Sequence, residues 1–225
     1  MIEVEQHEQP TPTKRPFYIR SPEHGTLRQG EIISDLFAVR LKTGAERDTE
    51  DNAKKVPYAY SIIVTQDCDL EQDYAARKNE GAGKHRLLRN ILLCEVEQAK
   101  ILKHGDMIQE LPEDKRARSP IGRREWKIVV RNKDERYHFL AKIEKLEDSL
   151  NEGLPQLVVE FKRYFTIATD EIYYQINAKT AKRRSILKSP YLEHFNTRFH
   201  FYHSRVALPE EYPVEPIQPP NQEPQ

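Results

Sequence analysis

The sequence predicts a mainly β (α+β) domain, a partly open barrel with inserted loops and a C-terminal amphipathic helix packed on it. Three observations predict this. Short runs rich in β-branched and aromatic residues are separated by polar loops. Two of them, YSIIVTQ (60–66) and NILLCEVE (90–97), are apolar almost throughout, as strands covered on both faces are. Only one late segment sustains an apolar spacing of three and four residues.

Taken in order, residues 1–16 are rich in Glu, Gln, Thr and Pro and are expected to be a disordered tail, as is the Pro-rich 209–225. A single domain, 17–208, lies between them. GEIISDLFAVRLK (30–42) alternates and reads as a strand, followed by the polar loop TGAERDTEDNAKK (43–55). YSIIVTQ is then a central strand, LEQDYAARK (70–78) a short helix, and NILLCEVE a second interior strand. QAKILKHGDMIQEL (98–111) reads as a short helix or irregular crossover. In EWKIVVRNKDERYHFLAKI (125–143) the polar stretch Asn132–Glu135 separates two runs rich in aromatic and β-branched residues, which predicts a hairpin. LPQLVVEFKRYFTIAT (154–169) is a further strand. The late helix opens with Ser189 as its cap and Pro190 at its first position. Leu192, Phe195, Phe199, Tyr202 and Val206 form its buried stripe, and Pro209 closes it.

Composition bounds the function. Of 225 residues, 37% are hydrophobic and 32% charged, so part of the chain is expected in tails and long loops. Lys plus Arg equals Asp plus Glu at 36 each, which leaves no overall attraction for nucleic acid or anionic lipid. Attraction to either must be local. No apolar run has the length of a membrane span and the N-terminus lacks an apolar leader core, so a cytoplasmic protein without a membrane partner is expected. Cys68 and Cys94 are the only cysteines and lack zinc-type spacing. No metal and no cofactor is expected.

The first candidate site is Asp67, Cys68 and Asp69, at the end of the central strand. Cys68 as nucleophile requires a base or a positive charge, and its sequence neighbours are carboxylates. The structural alternative makes Asp69 the cap of the following helix, with Gln72 completing a capping box, and lets Cys68 fill a small interior gap. Asp67 or Asp69 is then a candidate partner for Arg163, which breaks the alternation of the later strand. A bulge that turns Arg163 outward is the competing account. The second candidate is the row His194, Arg198 and Arg205 on the late helix, suited to stacking bases or holding phosphate, or to meeting another chain. Basic clusters at Lys115, Arg116, Arg118, Arg123 and Arg124, and at Lys182, Arg183 and Arg184, form the third, as loop contacts for nucleic acid or an acidic partner.

QGEIISDL, a polar loop, YAYSIIVTQDCD and then NILLCEVEQA together resemble the opening of the MazF/PemK-type toxin fold, an SH3-like barrel, over about residues 28–100. Those toxins cleave RNA with an Arg at the start of the second strand and a Ser or Thr after a later one. This chain has Tyr58, Ala59 and Tyr60 at the first place, and LLCEVEQ offers no hydroxyl at the second. The resemblance therefore implies a barrel kept as a non-catalytic interaction or regulatory module of a prokaryotic toxin-like or defence-associated system. The alternative is a MazF/PemK-type endoribonuclease with relocated catalytic residues, and a third class is a cysteine-dependent hydrolase at Cys68. A protein partner is expected, which includes a second copy as a homodimer, with RNA as the other option. Tyr191 and Phe201, a second aromatic row on the late helix, are the residues a partner would cover.

Overall fold

The computed structural model describes residues 16–42, 52–79, 83–104 and 121–204. The expectations for residues 1–15 and 209–225, and those for Lys115, Arg116, Arg118, Arg205, Val206 and Pro209, lie outside them. The fold is of the α+β class, built on one antiparallel sheet. Its strands are β1 (Tyr18–Arg20), β2 (Glu31–Leu41), β3 (Ala53–Ile63), β4 (Asn90–Gln98), β5 (Tyr137–Leu140), β6 (Leu157–Ala168) and β7 (Lys182–Leu187). They lie in the order β1-β7-β2-β3-β4-β6-β5. The helices are α1 (Asp67–Lys78), α2 (Ala99–His104), α3 (Arg123–Val129), α4 (Thr169–Asn177) and α5 (Tyr191–His203).

β3 is central, as its continuous apolar run requires. Ile62 joins the cluster on one face and Ile63 the cluster on the other, both fully buried. The first cluster takes a side chain from each of the seven strands and is closed by Phe195 and Phe199 of α5. The second lies under α1 and α4, through Leu70 and Ile172. A third, smaller cluster joins Ala99 and Leu102 of α2 to Val129 of α3 and Val158 of β6. The apolar stripe of α5 is where its spacing places it, although the helix begins one residue later than expected. Pro190 is its boundary residue and no side chain caps it.

Among the described residues the strand ladder does not close on itself, since β1 and β5 are opposite edges. The segment after β5 spans the gap instead. The Tyr18 hydroxyl donates to the Ala141 carbonyl at 2.9 Å, Arg20 donates to the Leu146 carbonyl and to Asn151, and the Ser149 hydroxyl donates to the Ser21 carbonyl.

Three expectations are corrected. The segment 125–143 is not a hairpin, because its first half is helix α3. The Trp126 and Val130 amides donate to the Gly122 and Trp126 carbonyls, and the buried Val129 seats the turn on the third cluster. Packing overrides the β-branched composition there. The turn after α3 still reverses the chain, and the Asn132 amide imitates a strand partner, accepting from the Phe139 amide and donating to its carbonyl. KRRSIL is not a surface loop; it is β7, inside the sheet between β1 and β2. Ala53–Lys55, read as loop, belong to β3.

Two polar devices fix the strands. In β6 the register against β4 slips from Cys94↔Tyr164 to Val96↔Val159, so residues 160–163 bulge opposite Glu95 and turn Arg163 outward. Gln175 of α4 donates to the Phe37 carbonyl and accepts from the Phe37 amide, an imitation rung on the edge of β2 past its last pairing with β7 at Ser34.

Candidate ligand groove

The candidate residues from sequence divide sharply once their partners are known. Asp67 is the first residue of α1 and Gln66 its boundary, so neither Asp69 nor a capping box starts this helix. Asp67 accepts from both nitrogens of the Arg28 fork at 3.0 Å and from the Gln29 amide at 2.7 Å, tying α1 to the entry of β2. Cys68 is exposed and does not fill a core gap. Its thiol lies 3.6 Å from Gln66 Oε1 and 3.8 Å from Asp69 Oδ1. Both are hydrogen-bond acceptors. Arg163 is not the partner of Asp67. It reaches Glu95 and Glu160, each at 3.3 Å, on the outside of the bulge.

Arg183 and Arg184, grouped by sequence with a surface cluster, are interior and point to opposite faces of β7. Arg183 holds Glu31 through two bonds of 2.6 and 2.9 Å and donates to the Gly25 and Thr26 carbonyls. Arg184 forks onto Asp148 at 2.8 and 2.7 Å. Burial alone would raise the Asp148 carboxyl, but Arg184 and the Gly153 and Leu150 amides together hold it below the usual carboxylate range. Lys182 is half-exposed, 3.5 Å from Asp35. Arg123 and Arg124 are exposed on α3.

Arg198 clamps α5 to the turn before β5. It donates to the Asp134 and Tyr137 carbonyls and to Asn132, stacks over Phe161, and faces His138 Nδ1 at 3.0 Å. Guanidinium only donates, so Nδ1 of His138 accepts and the ring proton belongs on Nε2. Burial, then Arg198 and His194, push His138 down to about 3, and burial and Arg198 lower His194. On the same helix Phe201 is exposed as expected, whereas Tyr191 is covered by Phe17, ring centroids 4.4 Å apart.

The feature that the sequence reading missed is a groove between α1, α4 and the segment 20–27. Asp170, Tyr173, Tyr174 and Asn177 recur at helical steps of three and one, then three, and so share one face of α4; Tyr74 and Arg77 are one turn apart on α1. These faces line a hollow of about 490 Å³. A second hollow of about 580 Å³, lined by Arg20, Ser21, Lys179 and Lys182 among others, shares Glu23, His24, Ile176, Asn177 and Arg183 with the first. The two are one bipartite groove, aromatic at one end and cationic at the other. The spacing of the α4 face was present in the sequence as DEIYYQIN. It was obscured because the helix follows β6 without a break and Ala168 offers no side-chain cap.

The charges along the groove are answered unequally. Arg77 is paired with Asp73 and Asp170, and Arg183 with Glu31. Among the described residues Arg20 bonds only to neutral oxygens, those of Leu146, Lys145 and Asn151. Lys179 follows the C-terminus of α4 with φ 58°, in the left-handed region where glycine is the low-cost residue.

Among the described residues no group of His, Cys, Asp and Glu could hold a metal ion, and no helix is long and apolar enough to cross a membrane. No known protein family, curated protein or solved structure matches the chain.

Proposed function

We propose that the chain is a non-catalytic recognition module, of the toxin-like or defence-associated kind that its opening strands resemble. The bipartite groove carries this reading. Its walls come from faces of α1 and α4 and from the segment 20–27, and its exposed cations and rings are available for binding, whereas Arg183 and Arg184 are engaged in holding the frame. The frame itself supports an opened SH3-like barrel, since one core draws on all seven strands and residues 141–151 bridge the unpaired edges. Arg123, Arg124 and Phe201 supply an exposed surface for a protein partner.

Incubating the full chain with a mixed RNA substrate, alone and with the protein encoded beside it, tests this reading. The expected result is intact RNA and a hetero-complex of defined mass by light scattering. RNA cleavage that falls in an Arg123→Ala/Arg124→Ala variant would overturn it in favour of an endoribonuclease.

A further inference from the structure

The two ends of the groove ask for two different chemistries in one ligand. At the aromatic end Tyr174 is 66% exposed, while Tyr173 beside it is flanked by Arg77 at 5.9 Å and Tyr74 at 6.2 Å. An exposed phenol ring on a fixed helix face binds flat π-systems by stacking. Asn177 and Asp170, on the same face, offer an amide and a carboxylate, the latter also paired with Arg77, to the amino and carbonyl groups of a heterocycle. At the other end Arg20 and Lys179 bring positive charge with no carboxylate bonded to them among the described residues, and against the one exposed carboxylate of that hollow, Glu23, the surplus favours a compact anion.

Ring recognition and anion recognition are joined by the shared wall of Glu23, His24, Ile176, Asn177 and Arg183. From this we infer that the groove binds a free nucleoside phosphate, with the base against Tyr174 and the phosphate on Arg20 and Lys179. The ribose lies over the shared wall. Each hollow, at about 490 and 580 Å³, falls in the size range of small-molecule sites. Peptides offer an anion or a flat ring but rarely a hydrogen-bonding heterocycle next to a phosphate. The inference rests on the recognition-module reading and adds the ligand to it.

Lys179 gives the inference a test that separates binding from folding. Its positive φ means that Lys179→Gly relieves backbone strain, so the variant should melt at the same temperature as the parent or higher. Calorimetric titration of the full chain with adenosine and guanosine 5′-diphosphates should show saturable binding, with the parent nucleosides and inorganic phosphate each much weaker. Lys179→Gly should weaken that binding roughly tenfold through loss of one charge-assisted contact. Tyr174→Ala should weaken it by a similar factor, roughly tenfold, through loss of stacking. No binding of any nucleoside phosphate at millimolar concentration, or binding indifferent to both substitutions, would overturn the inference. A short single-stranded RNA that binds while the mononucleotides do not would also overturn it, in favour of a polymer site. Release of inorganic phosphate from the bound diphosphate would support the ligand class and overturn the non-catalytic reading, so the two failures are distinguishable.

Discussion

At the scale of single residues, the interior is organised by arginine–carboxylate pairs, and their energetics are asymmetric. Removing one member strands a buried charge, which costs about 3–5 kcal/mol. Glu31→Ala is therefore expected to lose about that much stability in urea titration, because Arg183 stays behind with 4% of its side chain exposed. The double variant Glu31→Met/Arg183→Met should lose less than the sum of the single ones. His138 makes a pH-dependent contribution. The unfolded chain takes up a proton there near pH 6.5 and the folded chain only near 3. Its contribution is therefore undiminished above 6.5, and stability falls by up to roughly 1.4 kcal/mol per pH unit between those values. A His138→Gln variant should show a flatter dependence of melting temperature on pH between 7 and 5, and an unchanged slope would refute the assignment. Little of this was legible in sequence. Asp67 finds Arg28 at a separation of 39 residues, and Arg183 finds Glu31 at 152, whereas local reading weighs neighbours within a turn or two. The outward bulge at Arg163 was one of two readings left open, because alternation along one strand shows where the pattern breaks and not which way the side chain turns.

At the scale of elements, periodicity was a sound guide wherever one element buries one continuous stripe. β2, β6 and α5 were legible for that reason, and β3 and β4 from runs that are apolar almost throughout. The exceptions fail physically rather than statistically. α3 has strand-like composition but forms about two helical turns that seat Val129 in the third cluster, and β7 buries two arginines that composition assigns to the surface. For α5 the two faces make opposite predictions. Phe195, fully buried against Phe161 and His138, should cost about 3–5 kcal/mol on replacement by Ala. Phe201→Ser, at a position 58% exposed, should stay within about 0.5 kcal/mol. Equal losses in thermal unfolding would mean that the helix is turned differently on the sheet.

At the scale of the whole molecule, the sheet is held round its core by a seam rather than by a closed ladder. Tyr18→Phe removes the bond to the Ala141 carbonyl and leaves that acceptor unpaired, a loss of about 1–2 kcal/mol. Faster hydrogen exchange confined to residues 141–154 is the expected readout, and uniform acceleration across all strands would argue against a seam. The imitation rung of Gln175 has a consequence of another kind, for colloidal behaviour. The strand edge that it covers continues into Val39 and Leu41, at 60% and 75% exposure, a ready template for a neighbouring chain at high concentration. One side-chain amide thus occupies the first place at which a second molecule's backbone would register. Gln175→Leu should leave a freshly diluted sample monodisperse and yet shorten the lag before turbidity appears on concentration and mild heating. The chain's shelf life, as much as its fold, depends on that residue.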